Sequence, residues 1–368
     1  MKVLVSVFNN LITDQRVEKI CRTLFENGYE VELIGNDWGG IPEMERPYPF
    51  EHIRLRSKSL KTAYPEFNVK LYRKILEKAD KNTILLCNDL DILTANYWAS
   101  KKLKIPFIYD SHEIYTEMPA VQGRFTQKIW RKIEKKIIPE VRYMMTASES
   151  YADWFEKNYH IPKPVVVQNF PRKIVQEQQF GDSEEKIIMY QGAINPSRGL
   201  DKIISAMRKL ENAKLYIAGA GPKLSEYQEL SKKNGVGDKV VFLGRINPEE
   251  LREITRNADV GLSIEENNGL SYYFSLPNKV SDYIQARVPV VVSGFPEMKK
   301  IVSEYRVGEI IENHSEEELV GKIQTVLSNG KSFYKKQLET ASENLCWEKE
   351  EPKILEVFSK VVRETFRT

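Results

Sequence analysis

The stretch "KVLVSVFNNLITDQRVEKICRTLFENGYEVELIG", residues 2–35, changes its hydrophobic period twice. Residues 2–8 form a β-rich apolar run of the kind found in strands covered on both faces. After Asp14 the spacing becomes helical: Val17, Ile20, Cys21 and Leu24 fall on one face, and Gly28 ends the helix. "YEVELIG" then reads as a second strand. Strand, helix and strand in this order make a β-α-β unit, whose crossover helix joins parallel strands.

The same alternation continues outward. "TILLCND" (83–89), the helical "TANYWASKKLK" (94–104) and "PFIYDSHE" (106–113) form a second unit. "YMMTASES" (143–150), the helical "YADWFEKNY" and "PVVVQN" (164–169) follow. "FPRKIVQEQQFGDSEEK" (170–186) is polar and weakly patterned, with Pro171 and Gly181, and reads as an inter-domain linker. The alternation then restarts with "IIMYQGA" (187–193), "AKLYIAGAGP" (213–222), "VVFLG" (240–244) and "DVGLSI" (259–264), separated by helical patterns. The expected fold is α/β with two doubly wound Rossmann-like domains, 1–169 and 170–349. The last helix, "KILEVFSKVVRETF" (353–366), must bury its apolar face, and 350–368 is expected to pack back on the first domain.

Composition narrows the function. A chain of 368 residues is long for one core. A net charge of +3 offers no argument for a nucleic-acid partner, and none is expected. Cys21, Cys87 and Cys346 form no CxxC pair and are odd in number. With four scattered histidines (His52, His112, His160, His314), they argue against a structural zinc site and for a reducing, cytoplasmic setting. The first strand begins at Lys2, leaving no room for a signal peptide, and no apolar run approaches the roughly 20 residues that span a bilayer.

Ligands of open α/β sheets sit beyond the carboxyl ends of the strands. "VFNNLITDQR" (7–16) lacks the glycines that let a backbone approach a dinucleotide pyrophosphate, which argues against a Rossmann dehydrogenase. Asn9, Asn10, Thr13, Asp14 and Arg16 instead suit a hydroxyl-rich ligand, although Thr13 or Asp14 could simply cap the next helix. "YDSHEIY" (109–115) places Asp110, His112 and Glu113 after a buried strand, where a histidine serves as acid, base or donor. "YQGAINPSRGL" (190–200) carries Gly192, Arg198 and Gly199, and an arginine at a helix start adds to the anion affinity of its free amides. "AGAGP" (218–222) supplies a turn through Gly219 and Gly221 that by itself needs no ligand.

In "FSLPNKVSDYIQARVPVVVSG" (274–294), Pro277 suits the first helical position, and Lys279 and Asp282 share a face. They read either as a phosphate and hydroxyl grip or as an exposed ion pair worth about 0.2–0.5 kcal/mol. "RFTQKIWRKIEKKII" (124–138) sets Phe125, Ile129, Ile133 and Ile137 at helical spacing among six basic residues. It reads either as an ordinary helix covering the sheet, the reading slightly favoured, or as a helix lying on an anionic membrane.

Taken in order and spacing, "YQGAINPSRGL", "LYIAGAGP", "VVFLGRINPEELREITRNADVGLSI" and "SLPNKVSDYIQARVPVVVS" resemble the carboxyl-terminal domain of retaining, type-4 GT-B glycosyltransferases. "TDQRVEKICRTLFENGYEVELIG" and "YDSHE" resemble that family's acceptor domain. The resemblance spans nearly the whole chain. It implies two domains facing across a cleft, and retaining transfer of a sugar from an NDP-sugar to a hydroxyl in bacterial cell-surface polysaccharide or lipopolysaccharide synthesis. It implies that Arg198 and Lys279 meet the diphosphate with the amides around Ser275, Leu276 and Asn278. Gly244, Arg245 and Ile246 would line the base, Asp282 the ribose, and Asn10, Gly192, Gly219 and Gly221 the rest of the donor. His112 would stand near the reacting sugar, with Asn9, Thr13, Asp14, Arg16 and Glu113 on the acceptor side.

No metal or other cofactor is implied, and "DLD" (89–91) reads as structural. A lipid-linked acceptor, common in the family, would place the protein at the inner face of the membrane. The chain departs from the family pattern at Phe274, the first position of its Glu-x7-Glu motif, and at Ala193, where a basic residue is usual. Glu265 and Glu266 are in register with neither motif position. A sugar-nucleotide epimerase and a non-catalytic binding protein of the same fold are the alternatives.

Overall fold

The structure, a computed structural model, describes the chain apart from Thr13 and residues 41–43, 175–184 and 367–368. It forms two compact units, Met1–Asn169 with Glu350–Thr368, and Phe170–Lys349.

In the first unit the strands are β1 (Lys2–Ser6), β2 (Glu30–Asn36), β3 (Phe50–Ile53), β4 (Thr83–Asn88), β5 (Phe107–Ser111), β6 (Tyr143–Thr146) and β7 (Val165–Val166). The helices are α1 (Gln15–Glu26), α2 (Leu60–Lys78), α3 (Leu93–Leu103), α4 (Phe125–Ile137) and α5 (Glu149–Tyr159). The sheet runs β3-β2-β1-β4-β5-β6-β7 with parallel pairings, so the winding reverses between β1 and β4. Val3, Val5 and Ile84–Cys87 are fully buried, as strands covered by helices on both faces must be. Asp14 caps α1 by accepting from the Val17 amide at 3.0 Å.

The second unit repeats the plan with β8 (Lys186–Gln191), β9 (Ala213–Ala218), β10 (Val240–Gly244), β11 (Val260–Ser263), β12 (Val290–Ser293) and β13 (Gly308–Ile311). Its helices are α6 (Leu200–Ala206), α7 (Leu224–Lys233), α8 (Pro248–Arg256), α9 (Leu270–Tyr273), α10 (Asn278–Gln285), α11 (Pro296–Tyr305), α12 (Glu316–Phe333) and α13 (Lys335–Asn344). The parallel order β10-β9-β8-β11-β12-β13 reverses between β8 and β11. Helix α14 (Trp347–Phe366) begins in this unit and continues into the first, where Ile354, Phe358 and Val361 are fully buried.

Three expectations need correction. The linker assigned to 170–186 does not start at Phe170, which is 2% exposed in the second core because its ring is too apolar to leave in water. Most of that segment, 175–184, lies outside the described residues. Helix α10 starts one residue later than expected, with Pro277 in the cap position. Helix α4 does not simply lay its apolar stripe on the sheet. Its buried side carries Gln127, Glu134 and Ile137, while Phe125 is 75% and Ile129 45% exposed. An apolar repeat of four residues turns about 40° per step on a helix of 3.6 residues per turn, so its early members leave the face that Ile137 occupies. Among the described residues, no helix is long and apolar enough to cross a membrane.

Candidate functional site

Where the winding of an open sheet reverses, the loops after two adjacent strands diverge and leave a crevice. In the second unit those strands are β8 and β11. Just past β11, Glu265 is fully buried. One carboxylate oxygen accepts from the Ser263 hydroxyl at 2.6 Å. The other accepts from Lys279 Nζ at 2.9 Å and lies 3.6 Å from Arg198 Nη1. Its backbone carbonyl accepts from the Ser293 hydroxyl at 2.7 Å and lies 2.9 Å from His314 Nε2. Burial would push the Glu265 carboxyl up, but Lys279 and Arg198 outweigh it and hold the group below the usual carboxylate range.

The two cations therefore meet at the switch point. Lys279 is 8% exposed, with its ammonium 4.2 Å from the centre of the Tyr190 ring. Arg198 lies over Tyr272 at 4.7 Å, and its buried Nε has no hydrogen-bond partner among the described residues. Gly199 allows this approach: it has φ 68°, and a Cβ there would sit 2.2 Å from the Ile264 carbonyl. Gly219 is fixed as tightly, since a Cβ would fall 1.8 Å from the Gly192 carbonyl. Gly219 and Gly221 thus support the loop of Gly192 from behind, and Gly192 lies beside the Lys279 chain.

Asp282 accepts from Gln191 Nε2 at 3.1 Å, at the end of β8, and Gln191 accepts from Thr255 through its other end at 2.8 Å. The exposed Lys279–Asp282 pair offered by the sequence does not form, because each side chain has a different partner. Ser275 gives its hydroxyl to the Tyr272 carbonyl at 2.8 Å. Leu276 and Ile246 pack on the core, and Asn278 is exposed at the start of α10. Gly244 ends β10 and the exposed Arg245 follows it, and β9 separates β10 from β8.

The first unit has its own cluster past β1, β4 and β5. His112 is 17% exposed and lies between two carboxylates: Nδ1 is 3.1 Å from Asp89, and Nε2 is 3.3 Å from Asp110 and 3.2 Å from the Asn88 side-chain oxygen. Asp89 also accepts from the His112 amide at 2.8 Å, and it has φ 67°, a conformation that costs a residue with a side chain on the order of 1–3 kcal/mol. Burial would lower the pKa of His112, but Asp89 and Asp110 raise it to about 9, so the ring carries both protons at neutral pH.

Arg16 is 3% exposed and grips Asp110 with two hydrogen bonds, at 2.8 and 2.7 Å, while also donating to the Val167 carbonyl, so it braces the end of β5 beside His112. Asp14 is the helix cap, and its second oxygen accepts from Asn9 at 2.9 Å. Asn10 is partly exposed, with its carbonyl 3.2 Å from His52 Nε2, and the Glu113 carbonyl accepts from Ser111. Thr13 lies outside the described residues. In the sequence Glu265 stands out of register with the family motif and Asp89 reads as structural, whereas the structure sets each within a charged cluster. Both follow the strand beside the first strand of their sheet. Among the described residues, no three His, Cys, Asp or Glu side chains are grouped as metal ligands would be.

Comparison with known proteins agrees with this fold. Residues 14–170 match the family described as Glycosyltransferase Family 4, and residues 172–344 match Glycosyl transferases group 1. An uncharacterised glycosyltransferase of Methanocaldococcus jannaschii is 26% identical over 76% of this chain and 75% of its own length. The alpha-monoglucosyldiacylglycerol synthase of Streptococcus pneumoniae is 23% identical over 67% of this chain and 60% of its own. The fold is similar to that of sucrose-phosphate synthase from Thermosynechococcus elongatus, with a TM-score of 0.83 at 14% identity over 99% of this chain and 100% of that one. With its two halves matched in turn, on two parallel-sheet units, the chain belongs to the group 1 glycosyltransferases of the GT-B fold.

Proposed function

We propose that this glycosyltransferase moves a sugar from an NDP-sugar to a hydroxyl with retention, and that its second unit holds the donor. One observation carries the proposal: Arg198 and Lys279 converge at the β8–β11 switch point, and Arg198 keeps an unpaired buried donor. A departing diphosphate gains negative charge, and fixed cations in a poorly hydrated site stabilise that charge far more than water-exposed ones do. We assign Asp282, held by Gln191, to the vicinal hydroxyls of a ribose. The cation pair supplies the charge a metal would otherwise supply, so transfer is expected to survive chelation by EDTA.

On the first unit His112 acts as a positively charged hydrogen-bond donor rather than a base. Its contacts through Nε2, at 3.2 and 3.3 Å, are long enough for a sugar hydroxyl to compete for that proton. We assign the acceptor to a lipid-linked glycan or glycolipid, and the working position of the protein to the inner, anionic face of a membrane. Exposed Phe125 and Ile129 on the basic helix α4 support this assignment.

Thermal unfolding with UDP, GDP and ADP tests the donor site. A nucleotide at about 100 times its Kd adds about 2.7 kcal/mol of stability. One of the three should raise the Tm of the parent, and Lys279→Ala should remove that rise. If none of the three stabilises the parent, the donor assignment fails.

A further inference from the structure

Glu265 has no exposed surface, whereas Lys279 and Arg198 each keep part of theirs. It cannot follow the cations outward, because Ser263 holds its carboxylate and Ser293 its backbone carbonyl, with His314 alongside. The Arg198 loop also presses on the Ile264 carbonyl through Gly199. The other titratable groups around the cluster are Tyr190 from β8, Tyr272 from α9, Tyr283 from α10 and His314, none of them a carboxylate, so among the described residues Glu265 supplies the negative charge in contact with the pair.

We propose that Glu265 is a positioning residue that sets the charge of the Arg198–Lys279 pair, keeping diphosphate affinity low enough for the nucleotide product to leave. The inference rests on the assignment of that pair as the diphosphate site. Two buried cations with no counter-charge would hold a nucleoside diphosphate in the product state as firmly as in the transition state. Binding of that kind lowers KM without raising kcat, and where product release limits turnover it lowers kcat. One buried carboxylate, fixed to the fold and out of reach of the ligand, offsets one of the two positive charges and leaves the other for discrimination.

Calorimetric titration of the full-length protein with UDP, GDP, ADP and inorganic pyrophosphate tests this. In Glu265→Gln the amide oxygen can still take Lys279, and the amide nitrogen can donate to Ser263. We expect its Kd for the preferred nucleotide to fall roughly tenfold, about 1.4 kcal/mol. The donor KM and kcat should fall together, and the gain in affinity should shrink as salt rises. Glu265→Asp, which restores the charge, should return toward the parent Kd.

Charge compensation gives a second arm that removes both members of the buried pair and leaves neither unpaired. Lys279→Gln should weaken binding, and Lys279→Gln with Glu265→Gln should recover much of the loss, whereas a purely structural role makes the two losses add. A folded Glu265→Gln that binds no tighter than the parent, or a double variant no better than Lys279→Gln alone, overturns the proposal. If no probe binds the parent, the diphosphate site itself fails, and this inference with it.

Discussion

His112 lies between Asp89 and Asp110, and that placement decides where its proton resides. The fold binds the second proton more tightly than the unfolded chain does, with a pKa raised from 6.5 to about 9. The stabilisation from this group is therefore whole below pH 6.5 and is lost as pH rises through about 9. It amounts to roughly 3 kcal/mol at most, from the energy equivalent of a pKa shift. Asp89→Asn keeps the shape and tolerates the positive φ, but removes one of the two carboxylates. Its imidazole titration, followed by NMR, should move down by at least a unit, and the alkaline limb of activity should move with it. An unmoved titration would leave Asp89 as a loop residue only. The partners of Asp89 and Glu265 were hard to read from the sequence for the same physical reason. Each owes its position to a strand neighbouring the first strand of its sheet, and strand order is a long-range property that no local pattern carries. Arg198, Lys279 and His112, by contrast, stood out because strand-to-helix turns are visible locally.

Among the elements, α4 shows how a side-chain pattern can mislead. Its apolar residues repeat every four positions, so the stripe winds off the buried face and leaves Phe125 and Ile129 in solvent beside exposed Lys128 and Lys132. On neighbouring α3, Trp98 is 50% exposed, and the Lys136 ammonium lies over its ring at 5.3 Å. Co-sedimentation with phosphatidylglycerol vesicles should exceed that with phosphatidylcholine vesicles. Phe125→Glu with Ile129→Glu should abolish the difference without lowering the Tm, since neither side chain is buried. Equal sedimentation with both vesicle types would remove the membrane assignment. The buried side of α4 carries Glu134, whose pKa burial raises to about 7 although Thr116 and Tyr159 donate to it. Such a group weakens the fold as pH rises from its unfolded value toward and through 7. Glu134→Gln should therefore raise the Tm at pH 8 and have little effect near pH 4. Helix α2 escaped the sequence reading for a different reason. It buries only the narrow stripe of Ala63, Phe67, Leu71 and Ile75 and carries Pro65 within it, so the local propensity argued against a long helix.

At the scale of the whole molecule, the chain passes twice between the two units. Near the first passage the Gln168 amide donates to Glu350 within the first unit, and the Trp347 amide donates to Pro171 within the second. The second passage carries α14 onto the first unit. There Glu351 accepts from Thr23, Glu364 accepts from Tyr143, and Phe358 meets Tyr29 edge-on at 5.6 Å. Ile354, Val357, Phe358 and Val361 are at most 6% exposed. At about 1.5–3 kcal/mol for each buried apolar side chain, they contribute roughly 6–12 kcal/mol. That is comparable with the whole stability of a domain, about 5–15 kcal/mol. Ending the chain after Lys349 should therefore abolish the cooperative unfolding of the first unit and leave that of the second, whose core is complete without residues 350–368. Because Arg198, Glu265 and Lys279 all belong to the second unit, the nucleotide that stabilises the parent should still raise the remaining transition, while sugar transfer is lost with His112 no longer held in place. Calorimetric scans with and without that nucleotide decide the matter. Two unaltered transitions would mean that α14 is dispensable to the first unit. A remaining transition insensitive to nucleotide would mean that the donor grip needs more of the chain than the second unit supplies.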